Sequence, residues 1–255
     1  MSLLATDNLR VDIAGKCVCD ELSLSIDAGQ IWGVLGRNGV GKTTLLHTLA
    51  GLREPSRGKV QLDGQDLATR ARADVARRVG VVFQDNPDPF PTTVLQAALI
   101  GRHPYLRAWQ WESDTDRECA LAALRAVGID TLADRMVGTL SGGEKRRLAI
   151  ATVLTQEPRL YLLDEPINHL DLHHQIELCK LLVTHCHERD ASMVMIVHDL
   201  NLAARFCDHL LMLFGAGVTR HGSADTLLDL DVLQRLYEHP ITAIQEGQHR
   251  AYVAL

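Results

Sequence analysis

The stretch from residue 31 to residue 44, Ile-Trp-Gly-Val-Leu-Gly-Arg-Asn-Gly-Val-Gly-Lys-Thr-Thr, constrains this chain more than any other. Ile31 to Leu35 is an apolar run of strand length. It opens into Gly36-Arg37-Asn38-Gly39-Val40-Gly41-Lys42-Thr43, which meets every fixed position of G-x-x-x-x-G-K-[ST], and a helical stretch follows at once. Glycines let the main chain turn tightly with its N–H groups facing inward, and the next helix aims its positive dipole end at the same point. Such a loop cradles a polyphosphate. Lys42 adds a mobile positive charge for the β- and γ-phosphates, the Thr43 hydroxyl is a Mg²⁺ ligand, and Thr44 donates toward the α-phosphate. The plain alternative is a glycine-rich turn with no ligand. It is disfavoured because the flanking strand and helix are those the motif requires.

A chain of 255 residues can bury a substantial core as one domain or two. Its formal charge of -6, with no basic tail or long Lys/Arg run, argues against broad nucleic-acid binding. The opening residues show no charged segment leading into an apolar one, so the reading expects no signal peptide and a cytoplasmic location. No stretch reaches the length of a membrane span, so any membrane link runs through a partner. Six scattered cysteines, Cys17, Cys19, Cys119, Cys179, Cys186 and Cys207, fit reduced thiols. Cys17-x-Cys19 resembles half a metal site, but it falls in an expected strand with no second pair nearby.

Residues 3 to 28 alternate apolar and polar positions and predict antiparallel strands, as does Gly58 to Gly64. Val79 to Phe83 is a short apolar run ending at Gln84, read as a buried parallel strand. From there to residue 158 the pattern turns helical, with segments at Val94–Ile100, Asp114–Val127 and Gly143–Gln156, entered irregularly through Pro87, Pro89, Pro91 and Pro104. Strand character returns at Leu160 to Leu163, ending in Asp164-Glu165, and at Met193 to Val197, ending in His198, with a helix over 172–187 between them. Open α/β sheets bind ligands at such strand ends. Leu210–Phe214 and Gly217–Gly222 predict a last hairpin, followed by short helices.

Four further elements narrow the chemistry. Asp164 stands where it can hold Mg²⁺ through water, and Glu165 where it can polarise an attacking water. His198 lies within plausible reach of a γ-phosphate, and Gln84 can sense both metal and water. Leu140-Ser141-Gly142-Gly143-Glu144 opens another helix, whose serine hydroxyl and successive N–H groups form a second anion site. Two phosphate-binding helix starts in one chain allow a head-to-tail dimer with each ATP held between the loop of one copy and the serine of the other.

The sequence resembles the ATP-binding-cassette (ABC) family of ATPases over nearly its whole length. Gly36 to Thr43 matches the family's phosphate loop, Gln84 its Q-loop, Leu140 to Glu144 its signature, Leu160 to Glu165 its Walker B, Asn168 to Asp171 its D-loop, and His198 its switch histidine. The resemblance implies an α/β fold: a P-loop NTPase core with a mostly parallel sheet, an N-terminal antiparallel β layer and a helical insert. The core spans 1–84 and 158–222, the insert 85–157, and C-terminal helices and tail 223–255, all in one cassette domain. It further implies that Glu165 is the general base or water-positioning residue and that His198 contacts the γ-phosphate. Ser141, Gly142 and Gly143 would bind that phosphate in trans, with Asp171 coupling the two sites.

Thr93 to Tyr105, His198 to Arg205 and Leu170 to Gln175 resemble the importer subgroup serving iron-siderophore, haem and cobalamin permeases. That resemblance implies a homodimer on the cytoplasmic face of the inner membrane, bound to two permease subunits and served by a periplasmic or surface substrate-binding protein. Residues 85 to 110, Arg102 and Tyr105 among them, are expected to contact the permease. A soluble cassette ATPase of iron-sulfur scaffold assembly is the competing reading, and the segment after Gln84 argues against it.

Some residues depart from the family pattern. No aromatic stands between Val11 and Lys16, where the family commonly stacks adenine, leaving Ile13 as an apolar platform and base selectivity loose. Ile167 replaces the usual Thr, Ser or Met, and Arg146 a frequent Gln; both are expected to stand clear of the catalytic set. His169, His173 and His174 have helical metal-ligand spacing but overlap the D-loop, favouring contact with a dimer partner. His185, Cys186 and His187 read as an exposed helix end, Asp63 and Asp66 as turn residues. Trp109 and Trp111 either face the permease or pack the insert.

Overall fold

Alternating residues at the start of the chain form the expected antiparallel strands, β1 (Ser2–Ile13), β2 (Lys16–Leu22) and β3 (Ser25–Asp27). The structure, a computed structural model, describes residues 2–84, 91–107, 109–168, 170–246 and 249–255. Next in the chain are β4 (Ile31–Gly36), α1 (Lys42–Leu49), β5 (Arg57–Leu62), β6 (Gln65–Asp66), α2 (Arg72–Arg78) and β7 (Val79–Val82). Then follow α3 (Val94–Leu99), α4 (Asp114–Ala126), α5 (Gly142–Gln156), β8 (Leu160–Leu163) and α6 (Leu172–Glu188). The chain ends with β9 (Ser192–Ile196), α7 (Leu200–Phe206), β10 (His209–Gly215), β11 (Val218–Ser223), α8 (Ala224–Leu227), α9 (Leu230–Tyr237), β12 (Ile241–Glu246) and β13 (His249–Ala254). It divides into two compact units, Met1–Thr69 with Ser192–Leu255, and Arg70–Ala191.

The first unit holds two sheets. An antiparallel one runs β2-β1-β5-β6, with β3 also on β1. In the other, β4 pairs in parallel with both β10 and β9, and β11 closes the edge antiparallel to β10 as the predicted hairpin. β4 and β9 are buried at every position, which is why both read as unbroken apolar runs rather than alternating ones. Their register, Val34 with Ile196, and that of β10, Leu213 with Gly36, bring the end of β4 and the residues after β9 to one edge.

The predicted C-terminal helices are present as α8 and α9, but the tail then forms the hairpin β12–β13, which the sequence reading did not foresee. Its apolar pattern is weak, with Ile244 and Val253 exposed. Distant partners hold it instead: Tyr252 exchanges main-chain hydrogen bonds with the Asn201 side chain at 2.7 and 3.2 Å, and its hydroxyl donates to Leu228 O.

In the second unit β7 and β8 form a parallel pair, Val79 with Leu160 through Val82 with Leu163, so Gln84 and Asp164-Glu165 emerge at the same end. The three predicted insert helices are α3, α4 and α5, each opened by a reciprocal capping box, Thr93/Gln96, Ser113/Asp116 and Ser141/Glu144. A 3₁₀ turn, Ile100–Tyr105, extends α3. Gly101 within it lies so close to α5 that a Cβ would meet Thr152 O at 2.3 Å. Pro87 and Pro89 lie outside the described residues.

Candidate active site

Two glycines of the phosphate loop, Gly36 and Gly41, could not carry a side chain without movement of their neighbours. Gly36 has φ +152 and an added Cβ would meet Leu213 O at 2.7 Å; Gly41 has φ +109 and its Cβ would meet Val18 Cγ2 at 2.5 Å. Both are left-handed positions that disfavour a side chain. Helix α1 then starts with no side-chain cap and no acidic residue in its first turn. By contrast, Thr93, Ser113, Ser141, Asp171, Asp199 and Asp229 cap their own helices. The first N–H groups of α1 are therefore left for an anion.

Lys42, only 6% exposed, folds back over the same loop, its Nζ donating to Gly36 O at 2.8 Å and Arg37 O at 3.1 Å. Thr43 and Thr44 follow in the first turn of α1. This glycine cradle, uncapped helix start and inward lysine fit a polyphosphate. A cleft of ≈ 530 Å³ adjoins the loop, lined by Gly15, Lys16 and Cys17 together with Arg37 to Val40 and Gly215-Ala216. None of these carries an aromatic ring, and Ile13 is not among them. The wall offered to a base is thus Gly15, Lys16 and Cys17. Arg37 is ion-paired with Glu238 beyond α9. His198 follows β9, and Asp199 beside it caps α7 by accepting from Asn201 N at 2.7 Å and Leu202 N at 3.2 Å.

In the second unit, β8, buried at all four positions, delivers Asp164 and Glu165, 0% and 8% exposed. Glu165 adopts φ +51, rare for a residue with a side chain. Its carboxylate accepts from Gln84 Nε2 at 3.1 Å and from Asn168 Nδ2, and Asn168 N donates to Glu165 O at 3.2 Å. Q-loop, Walker B and D-loop residues therefore meet on one carboxylate. Arg146 joins them, contrary to the expectation that it stands clear of the catalytic set: its guanidinium donates to the carbonyls of Phe83, Gln84, Asp164, Glu165 and Pro166. Ile167 is buried.

The signature serine is occupied by its own helix. Glu144 accepts from Ser141 N at 2.7 Å and from the Ser141 hydroxyl at 2.8 Å, and hydrogen bonds from Ser141 hold its carboxyl below the usual range. Gly142 and Gly143 form the first turn of α5. Asp171 likewise caps α6, accepting from His174 N at 2.9 Å and meeting His174 Nδ1 at 2.8 Å. His169 lies outside the described residues.

Residues 19–168 match the ABC transporter family. The chain belongs to the ABC transporter family. Among its relatives is YusV of Bacillus subtilis, named a probable siderophore transport system ATP-binding protein, 37% identical over 93% of this chain and 86% of that protein. Another is the ferric enterobactin transport ATP-binding protein FepC of Escherichia coli, 38% identical over 92% of this chain and 86% of that protein. A solved ABC transporter in an inward-facing conformation, described as a putative metal-chelate type, superposes with a TM-score of 0.88, covering 100% of this chain and 98% of that one at 27% identity. ATP-binding subunits of ABC transporters hydrolyse ATP and work with membrane permease components, and this chain is such a subunit. Among the described residues, no helix is long and apolar enough to cross a membrane.

The insert of this ABC ATPase shows what Arg102, Tyr105 and the two tryptophans do within the chain. Arg102 is turned inward, donating to Asp116 at 2.7 Å, Thr155 O and Glu157 at 3.3 Å, with the Tyr105 ring 4.3 Å from its guanidinium carbon. The Tyr105 hydroxyl donates to Gln156 O at 2.9 Å. These two residues staple the insert together. Trp109 and Trp111 do not pack it at all, being 100% and 86% exposed. Asp85 to Phe90 and Ala108 of the expected permease segment lie outside the described residues. The 185–187 end of α6 is not simply exposed either, since Cys186 is buried and His185 Nε2 lies 2.9 Å from the Tyr161 hydroxyl. Cys17 and Cys19 each bond a main-chain carbonyl, of Cys19 and of Leu9, and burial pushes the Cys19 thiol up to about 12, unfavourable for a thiolate ligand. The contacts of Arg146 were missed by sequence reasoning; the available signal was an arginine among the mostly apolar buried residues of α5.

Proposed function

We propose that this chain powers an importer for an iron chelate or corrinoid, a ferric siderophore, haem or cobalamin. It acts as a homodimer on the cytoplasmic face of the cell membrane, beneath two permease subunits that receive cargo from a substrate-binding protein outside. The cargo class is supported by the likeness to siderophore-transport ATP-binding proteins, and the observation that carries the hydrolytic reading is the Glu165 carboxylate, buried and held by Gln84 and Asn168 at the end of β8. A carboxylate fixed in that way can orient one water and accept its proton.

The assigned roles are these. The main chain of Gly36 to Gly41 and Lys42 bind the β- and γ-phosphates, and Thr44 the α-phosphate side. Thr43 and Asp164 supply hard oxygen donors suited to Mg²⁺, which when bound neutralises the phosphate oxygens. Gln84 contacts metal and water, and His198 the γ-phosphate. Ser141, Gly142 and Gly143 bind the same phosphate from the second copy, and Asp171 couples the two sites. Positioning and electrostatics then supply most of the acceleration. The exposed Trp109 and Trp111 mark the face offered to the permease.

Proteoliposomes holding the chain with its permease test this reading. Uptake of a ferric siderophore that needs internal ATP, and that stops in Glu165→Gln while ATP still binds, is expected. ATP turnover unchanged in Glu165→Gln would remove that residue from its role. Full ATPase coupling with no uptake of any iron chelate or corrinoid would remove the substrate class.

A further inference from the structure

Helix α5, which begins at the signature serine, sends one side chain back through its own unit. Arg146 is 7% exposed, and its planar fork reaches two separate segments: Nη1 donates to Phe83 O at 2.6 Å and Gln84 O at 3.4 Å, and Nε to Pro166 O at 3.1 Å. Nη2 donates to both Asp164 O and Glu165 O. Those last two carbonyls bracket a single residue. One belongs to the peptide plane set by the φ of Glu165, the other to the plane set by its ψ, so a donor shared between them restrains both rotations. Glu165 needs such restraint. At φ +51 it occupies a conformation that costs a residue with a side chain free energy, and a donor shared by its two flanking carbonyls opposes relaxation out of it.

The same guanidinium holds the main chain of Gln84, whose amide donates to the Glu165 carboxylate at 3.1 Å. One buried cation therefore fixes the backbone beneath the carboxylate and the backbone beneath the amide that touches it. We infer that Arg146 is a positioning residue for ATP hydrolysis: it sets the aim of Glu165 and ties that aim to the helix whose first turn is assigned to the second nucleotide. The inference rests on the reading of Glu165 as the water-orienting group. Neither a glutamine, with one amide nitrogen, nor a lysine, with its donors at a single point, spans the same carbonyls.

The test compares Arg146→Met and Arg146→Lys with the unaltered chain and Glu165→Gln, all assembled with the permease. Both Arg146 variants should lose about tenfold or more in kcat while KM for ATP stays within about threefold, the pattern of a lost transition-state contribution. A second readout needs no turnover. In the nucleotide-free chain, amide hydrogen exchange of a peptide covering 160–168 should quicken about tenfold, while exchange in β4 and α1 holds.

Should the methionine variant fail to fold, the lysine variant, which keeps the stem and the charge, decides. A kcat within about twofold of the unaltered chain, beside an inactive Glu165→Gln, overturns the role of Arg146 alone. Exchange that quickens throughout the 70–191 unit, with KM rising in step, overturns it in favour of a general packing role. Equal turnover in Glu165→Gln and the unaltered chain overturns the reading of Glu165 and this inference with it.

Discussion

Gly41 offers the sharpest test of how the phosphate loop is held. A Cβ at this residue would lie 2.5 Å from Val18 Cγ2 and 2.7 Å from Cγ1, at φ +109. Gly41→Ala therefore incurs two separable costs: about 1–2 kcal/mol for the left-handed backbone, and about 1–3 kcal/mol for forcing a methyl into the packed face of β2. Val18→Ala alone removes two fully buried methyl groups' worth of packing, about 2 kcal/mol. In the double variant the clash is gone but the backbone cost stays. Its destabilisation should fall short of the sum of the single effects by about 1–3 kcal/mol. Urea unfolding followed through the emission of Trp32, buried in β4 of the same unit, measures all three, and a fluorescent ATP analogue reports the loop. Nucleotide affinity should drop in Gly41→Ala and partly recover in the double variant. Additivity within about 0.5 kcal/mol would refute the contact with Val18 as the reason for glycine here.

Three further outcomes follow from the insert and the signature. The Ser113 hydroxyl and N–H, and then Arg102, hold the Asp116 carboxyl down to about 2, so its contribution to stability is complete above the unfolded value near 4 and is lost as pH falls toward 2; Asp116→Asn should flatten the acid limb of a stability profile over that window, and an unchanged limb would count against it. Glu144→Gln removes the negative charge that meets the Ser141 hydroxyl and N–H, so KM for ATP in the assembled transporter should fall by about two- to fivefold, whereas a rise would show that the carboxylate aids binding. Replacing both Trp109 and Trp111 by Ala should leave unfolding within about 0.5 kcal/mol of the parent while weakening copurification with the permease; intact copurification would free this face of its assigned role.

Much of this was legible in the sequence because the relevant signals are local. The phosphate loop announces itself through glycines whose positive φ angles are needed in place, and β4, β8 and β9 through apolar runs that both faces of a covered sheet demand. Capping boxes at Thr93, Ser113 and Ser141 mark helix starts within a residue or so. What escaped depends on partners distant in sequence. The β12–β13 hairpin is secured by Asn201 and Leu228 rather than by its own pattern. The inward courses of Arg102 and Arg146 were not legible, because the carboxylates and carbonyls that receive them are supplied by other segments.

The account depends most on a nucleotide shared between two copies. The decisive measurement is the ATP retained per transporter after rapid gel filtration, using Glu165→Gln chains assembled with the permease in vesicles with Mg²⁺ and labelled ATP. Two ATP per pair of chains should be retained, and adding Ser141→Arg should abolish retention while leaving the subunit stoichiometry unchanged. Full retention in the Ser141→Arg variant would mean that each chain holds its nucleotide alone.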